Sequence, residues 1–518
     1  MLTIVMVEHI LSLGQFITTE VAMELTTRQT DRTAGVLLGQ ACGDALGVPY
    51  EFSAPPVSDP EMRGGGLGPY APGEWSDDTQ MAVCIARVAA TGADLGAPDA
   101  LDQVAAAFLD WFDGGATDVG TQTRHVITTT LGGPGGGPLH AVMTDSASEL
   151  YERTGRAAGN GALMRTAIVG LSALTNRDAT AHNARAIAEL THADPLAGDS
   201  CVIWSELVRR AVLTGEIDAW GTLSLLPTER RGQWAQWVRD AIDDPEPKRH
   251  SHNGFTVVAL QAALAAVVRA NRSYDGPRAV RAGLNGAVLA GDDTDTVAAI
   301  AGGLLGALHG ASSVPAEWRR IVHGWPGIRA RDLVRLAVGT ARGGLDDRRW
   351  PATGRMPYAG QGDAQRALAV PHPHDREVLI GTMADLARTR ELGVDAVVSL
   401  CRLGTDDAPA AGVRPGDHVE MWLLDSERPE DNPHLDAVLD DAAATIESFR
   451  SEGKRVLVHC VAAQQRAPSV AARYAVRRGI PRHVAEADLK RALPRIRGAG
   501  LLWRTALGTE VPTATKGP

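Results

Sequence analysis

The chain has 518 residues, with 51 basic and 62 acidic side chains, a net charge of −11, 44% hydrophobic and 22% charged residues. At ~150 residues per domain this predicts two to four domains with sizeable cores and excludes a disordered chain. The acidic balance also argues against nucleic acid as a partner, because phosphate backbones are bound by positive surface.

The first 22 residues are fairly apolar but contain Glu8, His9 and Glu20, and they lack a basic start and an A-x-A cleavage site. They read as neither a signal peptide nor a membrane span. Residues 1–26 are therefore set apart as an N-terminal extension, with Met23 as an alternative start. From 27 to 348 the runs AGVLLGQACGDALG, DTQMAVCIARVAA, LDQVAAAFLDWF, CVIWSELVRRAVL and TVAAIAGGLLGALHG are long and Ala/Leu/Val-rich, so this part is predicted all-α. Residues 349–364 hold Pro, Gly and charge without a period and read as a linker. In 365–518, the short β-branched runs DAVVSLC and KRVLVHC alternate with the helical segments GTMADLARTREL, LDAVLDDAAATIESFR and SVAARYAVRRG. That alternation predicts an α/β unit with a parallel sheet. The fold class expected is thus multidomain, all-α followed by α/β. Cys42, Cys84, Cys201, Cys401 and Cys460 show no paired spacing, which points to a reducing cytoplasm.

Glycine recurs at every fourth position in two helices, at Gly35, Gly39, Gly43 and Gly47 and at Gly302, Gly306 and Gly310. Each helical Gly costs roughly 1 kcal/mol against Ala, so close backbone packing must offset the loss, either for its own sake or to bring helix ends together around a ligand. Two acidic runs open helices: Ser76-Asp77-Asp78-Thr79 and Asp292-Asp293-Thr294-Asp295-Thr296. Helix capping explains one such residue per helix. It does not explain adjacent carboxylates, which repel one another unless a cation lies between them. If the two helix starts converge, Ser76, Asp77, Asp78, Asp293, Asp295 and Thr296 form an all-oxygen cage suited to Mg²⁺, Mn²⁺ or Ca²⁺. The number of carboxylates suggests two ions.

Five ordered motifs, GQACGDALGVPYEF, WSDDTQMAV, GNGALMRTA, THADP and GDDTDTVAAIAGGLLGA, closely resemble the ADP-ribosylglycohydrolase family, which includes the dinitrogenase-reductase-activating glycohydrolases, over residues 33–345. The resemblance implies an all-α hydrolase that uses two Mg²⁺ (or Mn²⁺) ions to release ADP-ribose from an acceptor. It implies Ser76, Asp77, Asp78, Asp293, Asp295 and Thr296 as metal ligands and Glu51 at the mouth of the site. It further implies Gly159-Asn160-Gly161 and Met164-Arg165 around the diphosphate and ribose, and His192 beside the substrate. Asp292 departs from the family, where a second Gly is common. Gly159 and Gly161 fit a loop whose backbone N–H groups approach a diphosphate ahead of a helix. Hydrolysis at an anomeric carbon needs a proton acceptor for water, and Asp77, Asp118 and Glu51 are the candidates.

In the last third, a strand ending in His459-Cys460 leads through Val461-Ala462-Ala463-Gln464-Gln465 to Arg466 and a helix. A thiolate at a helix start, loop amides and an arginine fork suit a phosphate ester. The segment resembles the dual-specificity branch of the protein tyrosine phosphatases over residues 365–518. The resemblance implies Cys460 as nucleophile, Arg466 as phosphate binder, His459 as tuner of the thiolate and Asp425 as general acid, with Asp431 as the alternative. Ala463 and Ala467 depart from it, standing where Gly and Ser or Thr are usual. Cys401 reads as a buried structural thiol, and His372 and His374 as loop residues. The expected partners are an ADP-ribosylated protein or small molecule and a phosphorylated substrate, with no membrane, and with nucleic acid only as an ADP-ribosylated acceptor. The competing readings are a hydrolase whose second domain is a noncatalytic phosphate-binding recruitment module, and a noncatalytic ADP-ribose sensor.

Overall fold

The computed structural model describes residues 24–508 apart from 55, 134–135, 359–361, 363–365 and 494, so the extension up to residue 23 lies outside the described residues. Its organising contact is between the helices Thr27–Gly47 and Thr294–His309. A Cβ on Gly35, Gly39 or Gly43 would run into the carbonyl oxygens of Gly306, Gly302 and Ala298. One on Gly302 or Gly306 would strike the carbonyls of Gly39 or Gly35. Backbone therefore packs on backbone, and the pairing order makes the helices antiparallel. Gly47 lands on the backbone of Asp295, and the Thr294 hydroxyl donates to the Gly47 carbonyl (2.9 Å). Gly310 ends its helix at φ 86° and closes the stripe: its backbone lies where a Cβ on Gly35 would stand, and its own Cβ would meet the Asp31 carboxylate.

Around this pair, further helices bury Ala, Leu and Val together with Trp75, Trp111, Trp204 and Trp234, all at 0% exposure. Among the described residues, no helix is long and apolar enough to cross a membrane.

The C-terminal unit is a five-stranded sheet in the order Val370–His372, Asp375–Gly381, Val456–His459, Ala396–Ser399, His418–Glu420. The first pair is antiparallel and the rest are parallel. Val456–His459 is central and buried throughout, as expected for a strand covered on both faces. Helices Leu435–Ser451 and Arg466–Arg477 follow the sequence reading. GTMADLARTREL does so only in part: Met383–Leu386 is helical, opened by a capping box in which Asp385 accepts the Thr382 N–H (2.9 Å), and Asp385 also accepts the N–H of Leu368 (2.9 Å). His372 is also not a loop residue; it ends an edge strand, fully buried, with Nε2 3.1 Å from the Ala471 carbonyl.

The segment read as a linker is docked on the second unit. Thr405 and Asp406 donate to the carbonyls of Thr353 and Gly354 (both 2.9 Å), and Pro351–Thr353 are buried. Ion pairs then join the two units directly: Arg331 to Glu420 (3.0 Å), Arg320 to Glu452 (2.7 Å) and Arg319 to Asp441 (3.5 Å).

The backbone contact makes opposite predictions for two helical glycines. Gly39→Ala forces overpacking and should destabilise the chain by about 1–3 kcal/mol. Gly232→Ala, with open space around its Cβ, should stabilise it by roughly 0.5–1 kcal/mol. Denaturant melts of the two variants check both signs.

Candidate functional site

The first consequence of the helix pairing concerns Asp44, one turn before the end of the first helix and fully buried. Its carboxylate accepts the backbone N–H of Ser76 (2.8 Å), the Ser76 hydroxyl (2.8 Å) and the N–H of Thr79 (3.0 Å). Asp44 thus caps the helix Asp77–Ala89 from another helix. The Ser76 side chain, expected either to cap this helix or to face an ion, does not cap it; it donates to Asp44 and to Asp78 Oδ2 (3.0 Å). Sequence reasoning missed Asp44. The available signal was a charged residue inside the small-residue run GQACGDALG.

Opposite lies the start of the helix Thr294–His309. Asp293 Oδ2 accepts from Asn160 Nδ2 (2.7 Å), and the Asp293 N–H donates to Asn253 Oδ1 (2.9 Å). Asn253, fully buried, was also missed. The Asp295 carboxylate accepts the Thr296 N–H (2.9 Å). Asp292 has φ 59°, which explains why glycine suits this position. It also ties two loops at the rim: its carboxylate accepts the His252 N–H (2.6 Å) and its carbonyl the Phe52 N–H (2.7 Å).

Asp44, Asp78 and Asp295 bring carboxylate oxygens within 4.8 Å of one another, as do Glu51, Asp293 and Asp295. The two groups share Asp295. Asp78 Oδ1 is buried without a hydrogen-bond donor among the described residues. Burial, then repulsion from Asp44, Asp77 and Asp293, raises Asp78 well above the usual carboxylate range. Burial, then Glu51, Asp78 and Asp293, does the same to Asp295, and burial, then Asp118, Asp44 and Asp293, to Asp77. Burial alone heads the causes for Asp44, pushed up to about 6, and for Asp293. Glu51 is pushed up to about 9 by burial, then by Asp293, Asp118 and Asp77. Asp118, half-exposed, is raised by burial too. An all-oxygen donor set with an orphaned carboxylate oxygen fits a hard divalent cation.

The loop 159–161 is built differently from the expectation. The N–H of Gly159 donates to Gln122 Oε1 (3.4 Å) and that of Asn160 to the Gly254 carbonyl (3.1 Å), so these amides do not cup a diphosphate. No α-helix follows; the next element is the 3₁₀ turn Ala167–Leu171. A Cβ on Gly159 would crowd Gln122 Oε1 (3.2 Å) and the His192 ring (3.3 Å), and one on Gly161 the His192 ring (3.2 Å). His192 is itself 1% exposed, with Nδ1 2.7 Å from Thr191 Oγ1, and burial then Arg165 keeps it neutral. Arg165 has no exposed surface: it donates to Thr191 Oγ1 (2.7 Å) and lies over the Phe108 ring (4.5 Å). These residues support the floor of the site rather than line an open pocket.

Residues 25–348 match the family model described as ADP-ribosylglycohydrolase. The chain belongs to the ADP-ribosylglycohydrolase family. It is 32% identical over 314 residues to the ADP-ribosylarginine hydrolase Tri1 of Pseudomonas putida (strain GB-1), covering 57% of this chain and 76% of that protein. It is 27% identical over 294 residues to the ADP-ribosyl-[dinitrogen reductase] glycohydrolase of Rhodospirillum rubrum, covering 56% and 89%. A solved structure described as an ADP-ribosylglycohydrolase-related protein complex matches 62% of this chain and 100% of its own at 26% identity, with a TM-score of 0.43.

Outside the family match, this ADP-ribosylglycohydrolase carries Cys460 just beyond the end of the central strand, 2% exposed, and Arg466 at the start of the next helix. Arg466 donates to the Leu400 carbonyl (2.8 Å) and stands 3.9 Å from Asp425, which also meets Arg497 (3.6 Å). Asp431 is instead held by Ser426 (2.6 Å) and Arg428 (3.1 Å). Ala463 adopts φ 52°, the conformation that glycine takes without strain. His459 is fully buried and directed into the sheet: its Nε2 is 2.6 Å from Ser399 Oγ, which is 2.8 Å from His418 Nε2. Its Nδ1 lies 3.4 Å from the Cys460 carbonyl, and burial pushes its pKa down to about 4.

The acid cluster sets a pH dependence. The folded state holds protons that the unfolded carboxylates release near their usual pKa of about 4. Without a cation, this contribution to stability is therefore full below about pH 4 and is lost as pH rises through 6, for Asp44, toward 9, for Glu51. A divalent cation binds the ionised form and opposes the loss. Thermal melts should show a Tm in EDTA that falls with rising pH and a gap to the Mg²⁺ curve that widens. An EDTA curve that is flat over this range would contradict the electrostatic account.

Proposed function

We propose that the helical domain hydrolyses the bond between ADP-ribose and an arginine side chain of a modified protein, using two Mg²⁺ or Mn²⁺ ions. The observation that carries this reading is the pair of carboxylate groups sharing Asp295, Asp44–Asp78–Asp295 and Glu51–Asp293–Asp295. Arginine is favoured as acceptor by the relative named an ADP-ribosylarginine hydrolase. Asp44, Asp78, Asp293 and Asp295, with Ser76 and Thr296 beside them, are the buried groups that would hold the cations. Bound there, the cations would supply Lewis acidity toward the ribose hydroxyls and the attacking water. Asn160 fixes the Asp293 carboxylate, and Asn253 fixes its backbone. Glu51, Asp77 and Asp118 are less buried, so they face the substrate side and are the groups able to take the proton of water. Arg165 and His192 act as positioning residues beneath the loop 159–161. The free, unpaired state of all five cysteines fits a reducing compartment.

The second domain is proposed as a cysteine-dependent phosphatase, with Cys460 as nucleophile, Arg466 as phosphate binder and Asp425 as general acid. Asp425 is favoured over Asp431 because it is the acid beside Arg466. The strained Ala463 and the near-complete burial of Cys460 support a second reading, a phosphate-holding module with no turnover.

Two assays test these readings. Asp293→Ala and Asp78→Asn should each lower ADP-ribose release from an arginine-modified protein by about a hundredfold or more, and EDTA should abolish it; full activity after chelation would end the metal reading. Wild type should hydrolyse p-nitrophenyl phosphate and Cys460→Ser should not, whereas an inert wild type selects the module.

A further inference from the structure

A cavity of about 390 Å³ lies between the two domains, large enough for a small-molecule ligand. The helical domain supplies Thr27, Leu38, Ala311 and Val334 to its wall, and the second unit and connecting segment supply Trp350, Tyr358, Arg402, Trp422 and Arg466. Five arginines line it against one carboxylate, Glu420, so in an acidic chain this hollow is locally cationic. Three of them are committed to the domain contact: Arg331 to Glu420, Arg320 to Glu452 and Arg319 to Asp441.

The other two are not. Arg402 stacks over Trp350 (4.5 Å) and Trp422 (5.4 Å), and among the described residues it has neither a hydrogen bond nor an ion pair. Arg466 is 9% exposed; it donates to the Leu400 carbonyl (2.8 Å), and its buried Nε, 3.9 Å from Asp425, makes no hydrogen bond. A buried guanidinium N–H without a hydrogen bond costs about 1–3 kcal/mol, and an acceptor in the cavity would recover that loss. The Trp350–Trp422 pair, edge to face at 5.5 Å, and Tyr358 give the same hollow aromatic walls.

We propose that this cavity binds a small phosphorylated molecule bearing a planar ring, of nucleoside monophosphate size, with Arg402 and Arg466 receiving the phosphate and the Trp350, Trp422 and Tyr358 side chains facing the ring. Walls on both domains select a free small molecule over a phosphorylated side chain on a folded protein. The site shares Arg466 with the phosphatase reading but requires no turnover at Cys460.

The test is calorimetric titration of 5′-AMP into the full chain carrying Cys460→Ser, which cannot consume the ligand, in EDTA so that the acid cluster holds no cation. AMP should bind, with adenosine and inorganic phosphate each about tenfold weaker or worse. Two folded variants should each lose about tenfold or more: Arg402→Met, which keeps an apolar stem over the tryptophans, and Thr27→Trp, which fills the cavity from the helical side. No AMP binding, unchanged affinity in either variant, or displacement of AMP by a phosphotyrosyl peptide overturns the proposal. Turnover of p-nitrophenyl phosphate by wild type decides the phosphatase reading separately: AMP binding without turnover removes the enzyme and leaves the site.

Discussion

The acid site depends on one contact, the backbone-to-backbone packing of Thr27–Gly47 on Thr294–His309. Each glycine in that contact forgoes roughly 1 kcal/mol of helix propensity, and the gain is proximity that no side chain would allow. Because the helices are antiparallel, the C-terminal end of one meets the N-terminal end of the other. Asp44 and Gly47 are thereby placed against Thr294 and Asp295. Asp44 then fixes a third helix start by accepting from Ser76 and Thr79. Three helix ends are gathered by two covalent economies, a missing Cβ and a short carboxylate, and the carboxylates they carry converge as a result.

The acid runs were legible in the sequence because their signal is local: adjacent Asp residues at a helix start exceed what capping needs. Asp44 and Asn253 were not legible, because each acts on residues far along the chain, Asp44 on Ser76 and Thr79, Asn253 on Asp293. Their roles exist only after the helices pack. Gly159 and Gly161 show the opposite failure. The pattern Gly-Asn-Gly was visible, but a small residue has several physical causes, and here the neighbours are the His192 ring and Gln122. Arg165 likewise reads as an anion binder by type and is a core residue by position.

In the second unit the strand–loop–helix order was legible, since Val456–His459 is a short β-branched run and Arg466–Arg477 a helical one. The partner of His459 was not, because strand alternation alone does not say which polar group lies across the sheet. Its partner proves to be Ser399, opposite it in the parallel register. The docking of residues 351–354 was also hidden. A segment without periodicity can be pinned by its backbone groups, here by Thr405 and Asp406, and backbone hydrogen bonds leave no mark on composition.

The glycine-packed helix also touches both the acid cluster and the cavity between the domains. It begins at Thr27, in the wall of the inter-domain cavity, and carries Asp44 in the acid cluster near its other end. At about 1.5 Å per residue these points lie roughly 25 Å apart. Leu38, in the same wall, stands about 9 Å along the helix from Asp44, so one helix runs from the cavity to the acid cluster. The helix pair offers no switch between them. Carbonyls seated where Cβ atoms would be leave no space for a shifted register, and without a second packed arrangement a ligand at one end has nothing to bias at the other.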